Sequence, residues 1–327
     1  MEIKSLRVAF MGTPEFAVSS LEAISRSVHQ LVGVVTVPDK PSGRGQILTP
    51  CAVKRYAVEH QLPVLQPDKL KNPDFLQQLA SWKADIFVVV AFRMLPAEVW
   101  KMPPQKTINL HGSLLPQYRG AAPINHVIMN GEAETGVTTF FIDEAIDTGK
   151  ILFAEKMNIG NDEDAGSLHD RMKVVGAELV VKTLNAIAQG NISPMSQEQL
   201  SQAEAGLLKV APKIHPADCV VDWQNSAVCI FNKIRGLSPY PAAFTYLKHE
   251  KGTLRTLKIY QAKLADKDFS AATAAGTIAL SDNRKQCFVA AKDGWIELLE
   301  VQIDGKKRMK ADEFLRGFDI STHNITS

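Results

Sequence analysis

Asp85-Ile86-Phe87-Val88-Val89-Val90-Ala91-Phe92 is apolar at every position after the first and shows no alternation. A strand of that composition is covered on both faces, as strands of parallel sheets are. Outward from it, 6–13 (LRVAFMGT), 31–38 (LVGVVTVP) and 107–110 read as further strands, with helical patterns at 14–27, 49–61, 73–83 and 122–130. Thr49 before Pro50 reads as an N-cap, and Pro14 suits a first helical turn. Strands alternating with helices predict an α/β fold: a Rossmann-like, doubly wound, mostly parallel sheet. Two runs joined by a short polar turn, 136–142 and 150–158, predict a hairpin that closes the sheet. One long amphipathic helix is expected over 165–189.

The pattern changes after it. The stretch 191–216 has mixed polarity with Pro194, Pro212 and Pro216, and reads as a linker. Beyond it, a helix at 226–237 precedes β-like runs at 244–249, 253–264, 276–281, 286–292 and 295–303, with a closing helix at 310–318. Five strands and a short helix fit a small barrel of oligonucleotide-binding (OB-like) type. The expected organisation is therefore 1–190 as catalytic domain, 191–216 as linker and 217–327 as OB-like domain.

Of the 327 residues, 45% are apolar and 22% charged, the balance of a globular chain with a sizeable core. No run approaches the ~18 apolar residues of a membrane span, and the N-terminus leads into a strand rather than a signal peptide. The scattered Cys51, Cys219, Cys229 and Cys287 read as free thiols of a cytoplasmic protein. The eight histidines show no ligand spacing, so no metal is expected. Lys+Arg number 18 against 13 Asp+Glu from Leu207 onward, and 19 against 22 before it. That asymmetry suits a polyanionic partner for the second half and equally a solvated surface.

The groups that could do chemistry gather beyond the carboxyl ends of the predicted strands, where open parallel sheets bind ligands. Gly12-Thr13-Pro14 carries one glycine, not the three of a dinucleotide fingerprint, and no phosphate loop of triphosphatase type occurs. Asn109-Leu110-His111-Gly112-Ser113-Leu114-Leu115-Pro116 is more telling. Strand alternation points Asn109 and His111 the same way. A carboxamide that can steady an oxyanion then shares a pocket with a ring that can handle a proton, which is equipment for acyl transfer. Asp147-Thr148-Gly149 sits in the hairpin turn, where Asp and Gly commonly serve structure alone. If the turn leans over the site, Asp147 orients His111 and balances the positive charge formed when an amine attacks. The basic loop 39–46, with Lys40 and Arg44, lies on the same rim, and Lys209, Lys213 and Arg235 continue toward the barrel. Together they could track phosphates of a nucleic acid; singly, each is more often solvated charge.

These residues resemble the folate-dependent formyltransferases. The likeness rests on Asn109 to Pro116, the later Asp147-x-Gly149, Gly12-Thr13-Pro14-x-Phe16, Arg119-Gly120-Ala121-Ala122-Pro123-Ile124, Glu134-Thr135-Gly136-Val137-Thr138 and Asp222-Trp223. It runs from about Leu6 to the C-terminus and is looser in the barrel. The resemblance implies 10-formyltetrahydrofolate as formyl donor and the α-amine of methionine on initiator tRNA as acceptor, within a monomer. By it, Asn109 donates to the formyl oxygen, His111 helps deprotonate the amine, and Asp147 orders the proton path. Ser113, Leu114, Leu115 and Pro116 would contact the folate, while Phe92, Arg93, Met94, Leu95, Ile142 and Asp143 line the pterin pocket. The segment 91–96 lacks the family's usual glycine and is one residue shorter. Two other readings stay open: a formyltransferase for an amino sugar nucleotide, and a non-catalytic RNA-binding module.

Overall fold

A computed structural model describes residues 3–42, 47–203, 207–250, 252–266 and 273–326. It divides into two units that are not continuous in sequence. The first comprises 1–123, 134–158 and 169–210; the second comprises 124–133, 159–168 and 211–327.

The elements of the first half, in chain order, are β1 (Arg7–Gly12), α1 (Glu15–Ser25), β2 (Gln30–Val35), β3 (Lys40–Ser42), β4 (Ile47–Thr49), α2 (Ala52–Glu59), β5 (Val64–Leu65), α3 (Pro73–Ser81), β6 (Ile86–Val90), α4 (Ala97–Trp100), β7 (Thr107–His111), β8 (Arg119–Gly120), α5 (Pro123–Met129), β9 (Glu134–Phe141), β10 (Ile151–Asn158), α6 (Ala165–Ala188) and α7 (Gln197–Ala203). One sheet runs β10-β9-β7-β6-β1-β2-β5. β5, β2, β1, β6 and β7 are mutually parallel, and β9 and β10 are antiparallel. All five residues of β6 are buried, as its unbroken apolar run requires. In β7, Leu110 faces α6: a Cβ on Gly176 would lie 2.7 Å from its Cδ2, so glycine permits the close approach. Asn109 and His111, one residue to either side, project from the opposite face.

Local signals give way in four places. Thr49 caps no helix. It belongs to β4, which pairs antiparallel with β3, and α2 starts at Ala52 with Cys51 at the cap position. Pro14 likewise is the N-cap of α1 rather than part of its first turn. The loop expected over 39–46 is flanked by the β3–β4 ladder, with Asp39 fixed by Lys54 at 2.5 Å, a bond that holds its carboxyl below the usual carboxylate range. Residues 43–46, Arg44 among them, lie outside the described residues. The expected linker contains α7, and its Met195 exchanges both backbone hydrogen bonds with Ile151 of β10 at 2.9 Å.

The remaining elements are β11 (Val210–Ala211), α8 (Ala227–Leu237), β12 (Ala243–His249), β13 (Leu254–Leu264), β14 (Ile278–Leu280), β15 (Cys287–Ala290), β16 (Trp295–Ile303), β17 (Met309–Lys310), α9 (Ala311–Gly317) and β18 (His323–Thr326). Seven strands, two more than expected, form an antiparallel sheet ordered β14-β15-β16-β13-β12-β18, with β17 on β16. Its ends approach each other, since a Cβ on Gly276, just before β14, would lie 3.8 Å from Ile325 of β18. The result is a nearly closed, OB-like barrel. Its core includes Trp223, Ile230, Leu257, Leu298 and Phe314, and Trp223 donates its indole hydrogen to Thr245 Oγ1 at 3.1 Å. Among the described residues no helix is long and apolar enough to cross a membrane, and no three His, Cys, Asp or Glu side chains gather as a metal site.

Candidate active site

β7 pairs antiparallel with β9, with Asn109 opposite Phe140 and His111 opposite Thr138. Leu115, Phe140 and Ile151 form a small apolar cluster, with Leu200 of α7 packed against it. Thr138 Oγ1 donates to the Ser113 carbonyl at 2.7 Å and accepts from Leu115 N–H at 3.2 Å. Ser113 Oγ donates to the Gln117 carbonyl at 2.6 Å. The turn after β7 is thus tied down by the buried polar groups of Ser113 and Thr138.

That turn fixes the imidazole. His111 is buried, and its Nε2 lies 2.9 Å from the Tyr118 carbonyl oxygen. A carbonyl only accepts, so Nε2 carries the hydrogen and Nδ1 is left to gain or lose a proton. Nδ1 stands 3.7 Å from Asp147 Oδ2. The segment expected to be a linker supports the arrangement: the Lys209 carbonyl accepts from Tyr118 N–H at 2.7 Å, and Gln117 Oε1 accepts from Lys209 N–H at 2.9 Å.

Asp147 is held in turn. Its backbone is left-handed, φ 55°, a conformation that Asp adopts more readily than most residues with a side chain. Its Oδ2 accepts from Gly120 N–H at 3.0 Å, and Gln197 Nε2 donates to its carbonyl at 2.9 Å. Two residues on, a Cβ on Gly149 would lie 1.7 Å from the Phe141 carbonyl oxygen, so only glycine fits. Asp147-x-Gly149 is therefore a turn whose backbone is dictated by crowding, with a carboxylate aimed at an imidazole. Asn109 is half-buried, and among the described residues no group hydrogen-bonds its carboxamide. A carboxamide donor, a ring with one nitrogen unbonded to backbone and a carboxylate behind it can steady an oxyanion and move one proton.

The residues expected to line a pterin pocket separate into two groups. Phe92, Leu95 and Ile142 join one apolar cluster. Ile142 and Asp143, with Lys106, Phe141, Gly149 and Lys150, also line a cavity of 560 Å³. Met94 is 68% exposed. Arg93 instead turns to the Pro67 and Asp68 carbonyls, and its burial pulls the guanidinium below its ordinary range. Of the expected phosphate contacts, Lys40, Lys209 and Lys213 are exposed. Arg235 is corrected: it is 8% exposed and donates to Asn232 Oδ1 and to the carbonyls of Gly160 and Glu163. Its charge is spent inside the second unit, and desolvation lowers its pKa. Tyr118 and Gln197 were missed, because they act through partners distant in the chain and carry no local motif, and Thr138, quoted only within a motif, gains its place from its bonds to Ser113 and Leu115.

A profile described as formyl transferase matches residues 6–184, and one described as formyl transferase, C-terminal domain, matches 213–319. The chain belongs to the formyl transferase family. A curated methionyl-tRNA formyltransferase of Bacteroides fragilis is 45% identical over 98% of both chains, and that of Azobacteroides pseudotrichonymphae is 49% identical over 97% of both. Among solved structures, HypX from Aquifex aeolicus matches with a TM-score of 0.63 at 18% identity, covering 97% of this chain, which spans about half (49%) of that protein. The sugar 3N-formyl transferase WlaRD, solved in the presence of dTDP and 5-N-formyl-THF, matches with 0.62 at 18% identity, covering 93% of this chain and 100% of that one. At that identity the structural likeness speaks for the formyl transferase fold alone.

Proposed function

We propose that this chain transfers a formyl group from 10-formyltetrahydrofolate to the α-amino group of methionine on initiator tRNA, the step that prepares the first aminoacyl-tRNA of translation. Near-full-length identity to methionyl-tRNA formyltransferases supports the acceptor. The observation that carries the chemistry is the 3.7 Å approach of Asp147 to His111 Nδ1, with Nε2 committed to Tyr118.

The amine nitrogen attacks the formyl carbon, a C–N bond forms, and the carbonyl π pair moves to oxygen. Asn109 donates to that oxyanion, where a preorganised donor acts most strongly. Nδ1 of His111 receives the amine proton, and the Asp147 carboxylate matches the imidazolium charge at short range. The oxyanion then collapses, the bond to N10 of the folate breaks, and the proton passes to N10. Asn109, His111 and Asp147 come from one chain, so a monomer suffices. Ser113 to Pro116 with Phe92, Met94, Leu95, Ile142 and Asp143 bind the folate. Lys40, Lys209 and Lys213, with Arg44, meet tRNA phosphates. A tRNA acceptor puts the reaction in the cytoplasm.

The test is formation of formyl-methionine from methionyl-tRNA and 10-formyltetrahydrofolate by the purified chain. Product is expected with methionyl-tRNA and not with an amino sugar nucleotide. Equal turnover of the sugar, or none of the tRNA, overturns the acceptor assignment.

A further inference from the structure

Gln197 opens α7, inside the stretch whose composition reads as a linker, yet it is 2% exposed. Its carboxamide has two hydrogens, and both are spent on the site turn. Nε2 donates to the Asp147 carbonyl at 2.9 Å and to the Gly149 carbonyl at 2.7 Å. Its Oε1 accepts from Arg119 Nε at 3.0 Å and Nη2 at 2.7 Å. Arg119 precedes Gly120, whose N–H holds the Asp147 carboxylate. One amide thus grips both lines of chain that meet at Asp147.

The main chain around it is anchored too. Met195, two residues earlier, is bonded in both directions to Ile151, and Leu200, three residues later, packs on Leu115, Phe140 and Ile151. We infer that Gln197 is a positioning residue for the reaction: it sets where the Asp147 carboxylate stands relative to His111 Nδ1. The inference rests on the formyl-transfer reading above and adds a residue from outside the recognised motifs. Asp147 occupies a left-handed conformation, and the Gln197 side chain bonds its carbonyl in that conformation. Removing the amide strands two carbonyls and frees the turn to relax. A displacement of about 1 Å at such a site costs about a hundredfold in turnover.

The experiment is a double-mutant cycle on the full chain. Gln197→Met keeps the volume and deletes the donors; Gln197→Glu keeps an acceptor for Arg119 and also deletes the donors. In the otherwise unaltered chain both are expected to lower kcat by about a hundredfold with little change in KM for either substrate. In an Asp147→Asn background each is expected to cost only about twofold more, because residues acting as a unit are not additive. The pH profile of kcat for Gln197→Met is expected to approach that of Asp147→Asn. In the ligand-free chain, the His111 ring signals in NMR are expected to move in the same sense for both variants. Unchanged kcat in a folded Gln197→Glu chain overturns the proposal, as does an equal loss in both backgrounds. The NMR comparison needs no acceptor, so it separates failure here from failure of the methionyl-tRNA assignment.

Discussion

His111 in the first unit and His323 in the second are both recessed imidazoles with one nitrogen turned to a backbone carbonyl, and they face opposite company. His111 looks across 3.7 Å at Asp147. His323 lies opposite His249 in the β12–β18 ladder with ring centroids 4.8 Å apart, and its Nδ1 is 3.1 Å from Thr322 Oγ1 and 3.2 Å from the Asp319 carbonyl. Phe318 packs on it, and burial first, with His249 and Arg255 adding repulsion, pushes its pKa down against the opposing pull of the Asp319 carbonyl and carboxylate. A proton on His111 finds a carboxylate across the gap; a proton on His323 finds, beside Asp319, burial, a second imidazole and an arginine that outweigh it. What an imidazole does is set by the group opposite it.

The widest gap between the two should appear on deletion. His111→Gln is expected to lower kcat by up to about ten-thousandfold, the upper range for a positioned proton-transfer group, while His323→Gln leaves turnover near normal. Steady-state formylation checks both, and a comparable loss at His323 would break the contrast. Asn109→Ala should follow, with kcat down by about a hundredfold to a thousandfold and folate affinity kept. A loss confined to KM would remove Asn109 from the reacting centre.

The pH response sharpens the contrast from the other side. His323 has a folded pKa below its unfolded value, so the unfolded chain binds the extra proton more readily. Its contribution is fully present above the unfolded value, near 6.5, and is lost as pH falls through the folded one. The thermal midpoint is expected to drop on acidification below neutrality, and His323→Gln to flatten that drop. The smallest effect belongs to the exposed lysines. Lys213→Ala should raise KM for tRNA a few-fold and lower the salt dependence of binding by about one charge, with kcat unchanged.

Much of the parallel sheet is visible in the chain before any coordinates. The unbroken apolar run of β6 and the Asn109-x-His111 spacing need only local rules. The errors share one cause, which is that their partners lie far away in sequence. Thr49 has every mark of a helix cap until Lys40 pairs with it. Arg235 reads as a phosphate contact until the carbonyls of Gly160 and Glu163 arrive beside it. Polar residues scattered through 191–210 read as spacer because Gln197 and Lys209 bond to residues some fifty to ninety positions away. Asp147 sits in a turn of ordinary composition, and its geometry depends on those same distant bonds.

The interleaving of the two units bears on dissection of the gene. A fragment ending at Val210 would retain Asn109, His111, Asp147 and Gln197, everything the chemistry asks for. It would also carry α5 with Met129 no longer against Gly236 and Asn125 without the Gly236 carbonyl it bonds at 2.7 Å, and it would leave the Glu163 carbonyl without Arg235. Truncated there, the catalytic half would expose apolar and polar surface that only the missing half satisfies, so expression of that half alone should yield aggregate rather than a minimal enzyme.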